Sequence, residues 1–366
     1  MKSRSRMPGP TSSRRRRALA AGLSAVAGLG AALALGSPAA AAGASYVALG
    51  DSYSSGTGTR SYISDGTSCQ RSVYAYPSLD ASALGLTLTF RACSGATVAD
   101  VTNTQLTALS TGTAYVTISV GGNDAGFASV LTTCAQPSWA SNCNGAIDTA
   151  QGIITNTLPG RLATLYSSIR AKAPNARVMV VGYPRIFNGE DCNALTWFSP
   201  TEESRLNATA DLLNSKTATA AAGAGFTFVN PTSKFVGHAV CDNVEWLNGL
   251  SSPTTESYHP NIAGHRDGYA VLTKPAFGIT ATLSPTRAEA KAVASADSLA
   301  RDASRYAAVD RTITPERFVA PDLHSPAMRA AAARAGVDLS SRASIDAADR
   351  LWSARQDAER QEAARR

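Results

Sequence analysis

Residues 46–56 read Tyr46-Val47-Ala48-Leu49-Gly50-Asp51-Ser52-Tyr53-Ser54-Ser55-Gly56, an apolar run that stops in a turn of small residues. That is the pattern of a buried strand ending in a tight turn with Ser52 at its tip. A serine held there projects its hydroxyl from the C-terminal edge of a sheet, where open α/β folds keep their sites. Alone, Gly-Asp-Ser is ordinary turn chemistry. It gains meaning from Gly121-Gly122-Asn123-Asp124 and, later in the chain, Ser257-Tyr258-His259-Pro260.

Working outward from that stretch, four more apolar runs read as buried strands: Leu88–Ala92, Tyr115–Val120, Arg177–Gly182 and Phe226–Val229. Between them lie helical patterns. Residues 145–173 carry Ile147, Ile153, Ile154, Leu158, Leu162 and Leu165, and residues 201–222 carry Leu206, Leu212 and Leu213 among alanines. Strands alternating with helices predict a five-stranded parallel sheet covered on both faces. Pro260 suits the first turn of a closing helix.

The first 44 residues read as a secretory signal peptide: Arg14–Arg17, then a mostly Ala/Leu/Gly stretch from Ala18 to Leu35, then small residues at 39–42. Consecutive arginines also fit a twin-arginine signal. The full chain has 34 Lys/Arg against 27 Asp/Glu, net +7, but seven of the basic residues and none of the acids lie in residues 1–44. The remainder is neutral, so the charge gives no support to nucleic-acid binding. Six cysteines between Cys69 and Cys241 on an exported chain favour three disulfides over a zinc site, since no Cys-x-x-Cys or His cluster accompanies them. Of the 15 possible pairings, the nearest-neighbour set is expected: Cys69–Cys93, Cys134–Cys143 and Cys192–Cys241.

Acyl transfer needs a nucleophile, a base and donors for the oxyanion. Ser52 offers the hydroxyl. Of four histidines, His324 lies far along the chain, His265 falls in the expected last helix and His238 reads as a structural histidine. His259, between the last strand and that helix, is the candidate base. Asn123 follows two glycines at the end of the third strand and offers uncharged donors, although Asn-Asp after Gly-Gly is also good turn chemistry. The backbone N–H of Gly95, after the second strand, is the second donor candidate.

Ser52, Gly95, Asn123 and His259 resemble, in order and setting, the four blocks of the SGNH hydrolases, the GDSL esterases and lipases, over about residues 45–280. The stretches Gly237-His238 to Cys241 and Trp246-Leu247-Asn248-Gly249, with the cysteine spacing, are similar to secreted actinomycete lipases and phospholipases A1 of that family. The resemblance implies a flavodoxin-like α/β/α sandwich, no metal or cofactor, and a carboxylic ester or lipid substrate. The family usually places Asp three residues before the catalytic His; here stands Glu256. The related phospholipases imply that a backbone carbonyl, that of Ser257 or a neighbour, orients His259 in its place. A secreted monomer that touches lipid surfaces transiently is the expectation. Carbohydrate deacetylation is the runner-up, favoured if Trp139, Trp197 or Trp246 lined a groove. The reading of another class is a non-enzymatic envelope-binding protein.

Composition changes near residue 280. Residues 281–366 hold 24 alanines, 14 Lys/Arg, 12 Asp/Glu, no cysteine and three aromatics, Tyr306, Phe318 and Trp352. This reads as a C-terminal helical extension, solvated for the most part, with an envelope-docking element or a lid as the alternatives. On that reading, a chain ending near Ile279 would stay folded and hydrolyse soluble esters.

Overall fold

The structure, a computed structural model, describes residues 43–314 and 317–365. The export segment expected over residues 1–44 lies, but for its last two residues, outside the described residues. Five strands form one wholly parallel sheet: β1 (Ser45–Gly50), β2 (Thr87–Phe90), β3 (Tyr115–Ser119), β4 (Arg177–Val181) and β5 (Thr227–Val229), in the order β2-β1-β3-β4-β5. Val47 lies opposite Val116 and Ile118 opposite Val180 in the register, and all four are buried. Parallel strands covered on both faces read as continuous apolar runs, which is why these segments stand out in the sequence.

The helices Tyr76–Leu84, Ala270–Ala276 and Pro285–Ala294 pack as one group, and Cys143–Asn156, Leu158–Lys172 and Pro200–Gly223 as another. Two helical expectations are refined. The pattern over 145–173 is two helices, parted at Thr157 with Pro159 in the first turn of the second, where its missing N–H goes unneeded. Pro260 starts no helix: it bridges to Leu247, and the turn at Gly264 is capped by the Asn261 side chain at 3.0 Å. The cysteines pair as Cys69–Cys93, Cys134–Cys143 and Cys192–Cys241, leaving none free among the described residues.

The strand order reverses between β1 and β3, so the crevice at their C-terminal ends is the switch point where open α/β sheets bind ligands. Ser52 follows β1 and Asn123 follows β3.

The residues after 280 are helical but not merely solvated. Ala292, Leu299, Ile313 and Phe318 are buried in the same core as β1 and β3. The last two helices, Pro326–Ala335 and Arg342–Arg365, contribute Met328, Ala331 and Ile345 to a second core with Trp139 and Trp197. Alanine-rich faces allow close approach, so a low count of large apolar residues understated the burial. Asp310 anchors the segment. It is fully buried, lies 2.6 Å from Arg71 Nη2 and 2.9 Å from Arg91 Nη2, and both arginines are themselves fully buried. Arg71 also pairs with Asp65 at 2.6 Å, and Tyr306 lies under the Arg91 guanidinium at 3.8 Å. Two guanidiniums thus face two carboxylates, one of which comes from the extension.

Candidate active site

Ser52 opens a single helical turn, Ser52–Ser55, whose N-cap is Asp51: its carboxylate accepts from the Tyr53 N–H at 3.1 Å. Gly50 makes the elbow possible. Its φ is +122°, and a Cβ there would stand 2.3 Å from the Ser119 carbonyl oxygen. Gln105 clasps the same residue, accepting from Gly50 N–H at 2.7 Å and donating to its carbonyl at 2.8 Å. The Asp51 carboxylate also accepts from the hydroxyls of Ser119 and Tyr183. Burial pushes the Asp51 carboxyl up to about 6, with those bonds opposing the rise.

Across the crevice, His259 Nε2 lies 2.9 Å from Ser52 Oγ, and His259 Nδ1 lies 2.9 Å from the Ser257 carbonyl oxygen. A carbonyl only accepts, so Nδ1 carries the proton and Nε2 is left as the acceptor for the serine hydroxyl. Burial pushes His259 down to about 4, opposed by the bond to Ser257, which keeps the ring neutral at ordinary pH. Glu256 takes no part in this contact. Its buried carboxylate accepts from Arg60 Nε at 3.1 Å and the Tyr62 hydroxyl at 2.8 Å.

The histidine loop is held from three sides. Asn248 donates its N–H to the His259 carbonyl and accepts from the Tyr258 N–H, both at 2.9 Å. Its side chain donates to the Gly58 carbonyl at 2.9 Å. The Tyr53 hydroxyl donates to the Tyr258 carbonyl at 2.8 Å, tying the loop to the residue after the serine. Gly58 is needed for the approach, because a Cβ there would meet His259 Cβ at 2.9 Å.

Asn123 Nδ2 donates to the Ala96 carbonyl at 3.0 Å, which fixes the amide and leaves its second hydrogen for the crevice. Gly95, with φ +84°, lines the crevice beside it. The other histidines are engaged elsewhere. His265 is buried and accepts from the Tyr76 N–H at 3.3 Å, and His238 bonds the Val244 carbonyl at 2.8 Å while stacking on Trp246. His324 is exposed in the extension.

Two hollows meet at Ser52, Asn123 and Phe127. One is apolar, lined by Val130, Leu131, Ile154, Ile186, Leu206 and Leu213. The other is mixed, with Ser68, Gln70, Ser94, Thr255 and His259 beside Phe127, Ala128, Pro253 and Phe318. Trp139, Trp197 and Trp246 line neither hollow; all are buried. Motif reading did not single out Gln105 or Tyr183, or see what Asn248 holds. Their partners are distant in sequence, and an isolated polar residue announces nothing.

The GDSL-like lipase/acylhydrolase family model matches residues 48–266. Lipase 1 of Streptomyces coelicolor is 48% identical over 235 residues, 63% of this chain and 85% of that protein. The crystal structure of an extracellular lipase from Streptomyces rimosus superposes with TM-score 0.60 at 42% identity, over 63% of this chain and 99% of that one. A phospholipase A1 structure from Streptomyces albidoflavus gives TM-score 0.61 at 43% identity, over 64% of this chain and 99% of that one.

Proposed function

The chain belongs to the GDSL-like lipase/acylhydrolase family, and from that premise we propose that it is a secreted serine lipase that cleaves lipid acyl esters through an acyl-enzyme on Ser52. The observation that carries this reading is the 2.9 Å contact between Ser52 Oγ and a neutral His259 Nε2, at the junction of the two hollows. The names of the Streptomyces lipases and phospholipase A1 support lipid esters as the substrate class, and the extracellular description of one supports secretion.

Ser52 Oγ attacks the ester carbonyl carbon as its proton passes to His259 Nε2. The carbonyl oxygen becomes an oxyanion, received by the free Asn123 amide hydrogen and the Gly95 N–H. When the tetrahedral intermediate collapses, the carbon–oxygen bond to the alcohol breaks and His259 returns the proton to the leaving oxygen. Water then attacks the acyl-enzyme and loses its proton to His259. Ser52 departs, recovers that proton, and the fatty acid is released. The Ser257 carbonyl stabilises the imidazolium formed at each half-reaction, a dyad supported from the main chain. The alcohol must leave beside His259, which lines only the mixed hollow, so the acyl chain occupies the apolar one. Burial of all three tryptophans argues against a sugar-binding groove.

Stoichiometric labelling of Ser52 by an organophosphate is expected, and Ser52→Ala and His259→Ala should each lower kcat by about 10⁶-fold, the double variant little further. Near-wild-type turnover in either single variant overturns the assignment.

A further inference from the structure

The hollow that His259 lines is not built by the family domain alone. Arg317 and Phe318, well past residue 266 where the family match ends, line it together with His259 and Gly95. Phe318 is buried and packs edge-on against Tyr258, the neighbour of His259, with ring centroids 5.0 Å apart. One residue on, the Val319 N–H donates at 2.9 Å to Thr132 Oγ1, on the helix Phe127–Cys134 whose first residue sits where the two hollows meet. Residues 317–319 thus cross the crevice from the histidine loop to the β3 side. Upstream, Asp310 fixes the segment to Arg71 and Arg91.

The chemistry of this hollow is one-signed. Its lining combines Ser, Gln, Thr and Asn side chains with Phe127, Ala128, Pro253 and Phe318, and Arg317 is its one formally charged side chain among the described residues. Arg317 is exposed, and no described carboxylate lies within ion-pair distance of it. An exposed arginine bordering a hollow with no other formal charge suits a phosphate, which a guanidinium meets with two parallel N–H donors.

Resting on the ester-hydrolase reading above, we infer that the C-terminal extension supplies the leaving-alcohol wall of the active site, and that Arg317 selects esters whose alcohol carries a phosphate. The alcohol oxygen is protonated at His259, so the glycerol carbons beyond it run into the chamber that Arg317 lines. Phe318 positions the wall through Tyr258 without touching the reacting atoms. Arg317 acts on binding of the phosphate, so its effect falls on KM more than on kcat.

The test uses the full chain and two substrates with identical acyl groups at monomeric concentrations: dihexanoylglycerol and dihexanoylglycerol phosphate. The readout is the ratio of kcat/KM for the phosphate over kcat/KM for the neutral ester, which any inactive fraction of a preparation leaves unchanged. Wild type should favour the phosphate, and added salt should erode the preference. Arg317→Ala should lower the ratio about tenfold, through KM, the scale of one hydrogen-bonded charge, and Arg317→Lys should restore part of it. An unchanged ratio in Arg317→Ala overturns the role of Arg317 and leaves the esterase reading standing. Failure of wild type to hydrolyse either substrate overturns both.

Discussion

The turn after β1 and the segment after residue 280 both border the crevice around Ser52, and they are held by different physics. The turn rests on short-range geometry and neutral or single-charge bonds: a glycine at positive φ, the Gln105 clasp and the Asp51 cap. The two side-chain contacts are each replaceable at modest loss, whereas Gly50 is not, because a Cβ there meets the Ser119 backbone. The extension rests on charge balance, since Asp310 is one of two carboxylates that offset Arg71 and Arg91 where none of the three has contact with water. Desolvating a guanidinium is tolerable only while its counter-charge stays in place, so the extension is all-or-none where the side-chain bonds of the turn are graded.

Removing one charge tests the contrast most severely. Asp310→Asn should destabilise the protein by about 3–5 kcal/mol, because it strands a buried positive charge. Chemical unfolding would measure the loss. By the same argument, a chain ending at Ile279, expected from composition alone to fold and to act, should be insoluble or inactive. A stable, active chain of that length would show that the two arginines find other partners.

On the turn side of the comparison, Asn123→Ala should lower kcat by about 10²–10³-fold with a smaller effect on KM, and should leave the unfolding midpoint near wild type. A change confined to KM would assign Asn123 to substrate binding. The smallest effect concerns Glu256. With its carboxylate bound to Arg60 and Tyr62, Glu256→Gln should cost less than about tenfold in kcat, or roughly 1.4 kcal/mol. It should also leave the acid limb of kcat/KM unmoved. That limb reports His259, which must be neutral to accept the serine proton, so activity should fall as pH drops through about 4 and not through 6.5. A loss beyond a thousandfold, or a limb that shifts in the variant, would make Glu256 the acid of a triad.

The sheet and the meeting of Ser52 with His259 were legible for the same reason: each requirement is local. A strand buried on both faces needs an unbroken apolar run, and Tyr46–Leu49 has one; an elbow needs Gly-Asp-Ser on contiguous residues. The Ser257 carbonyl was accessible as an expectation because Glu256 departs from the family pattern. What could not be read was pairing at a distance. Asn248 looks like a loop residue until it is seen to bond both Tyr258 and His259. Asp310 looks like one of a dozen surface acids, because nothing around it in sequence betrays two arginines more than two hundred residues away. Alanines hid the rest: Ala292, Ala331 and Ala332 are core residues by shape, with little apolar bulk to advertise it.

The shared carboxylate also sets a timetable for the growing chain. Arg71 and Arg91 precede Asp310 by 239 and 219 residues. At the usual synthesis rate of about 5–20 residues per second, that interval is roughly 10–50 s. Throughout it, the end of β2 carries two arginines with a single carboxylate between them, and the turn bearing Gly95 follows directly on. The second counter-charge for this corner is present only once residue 310 has been made, and the crevice wall only after Phe318 follows it.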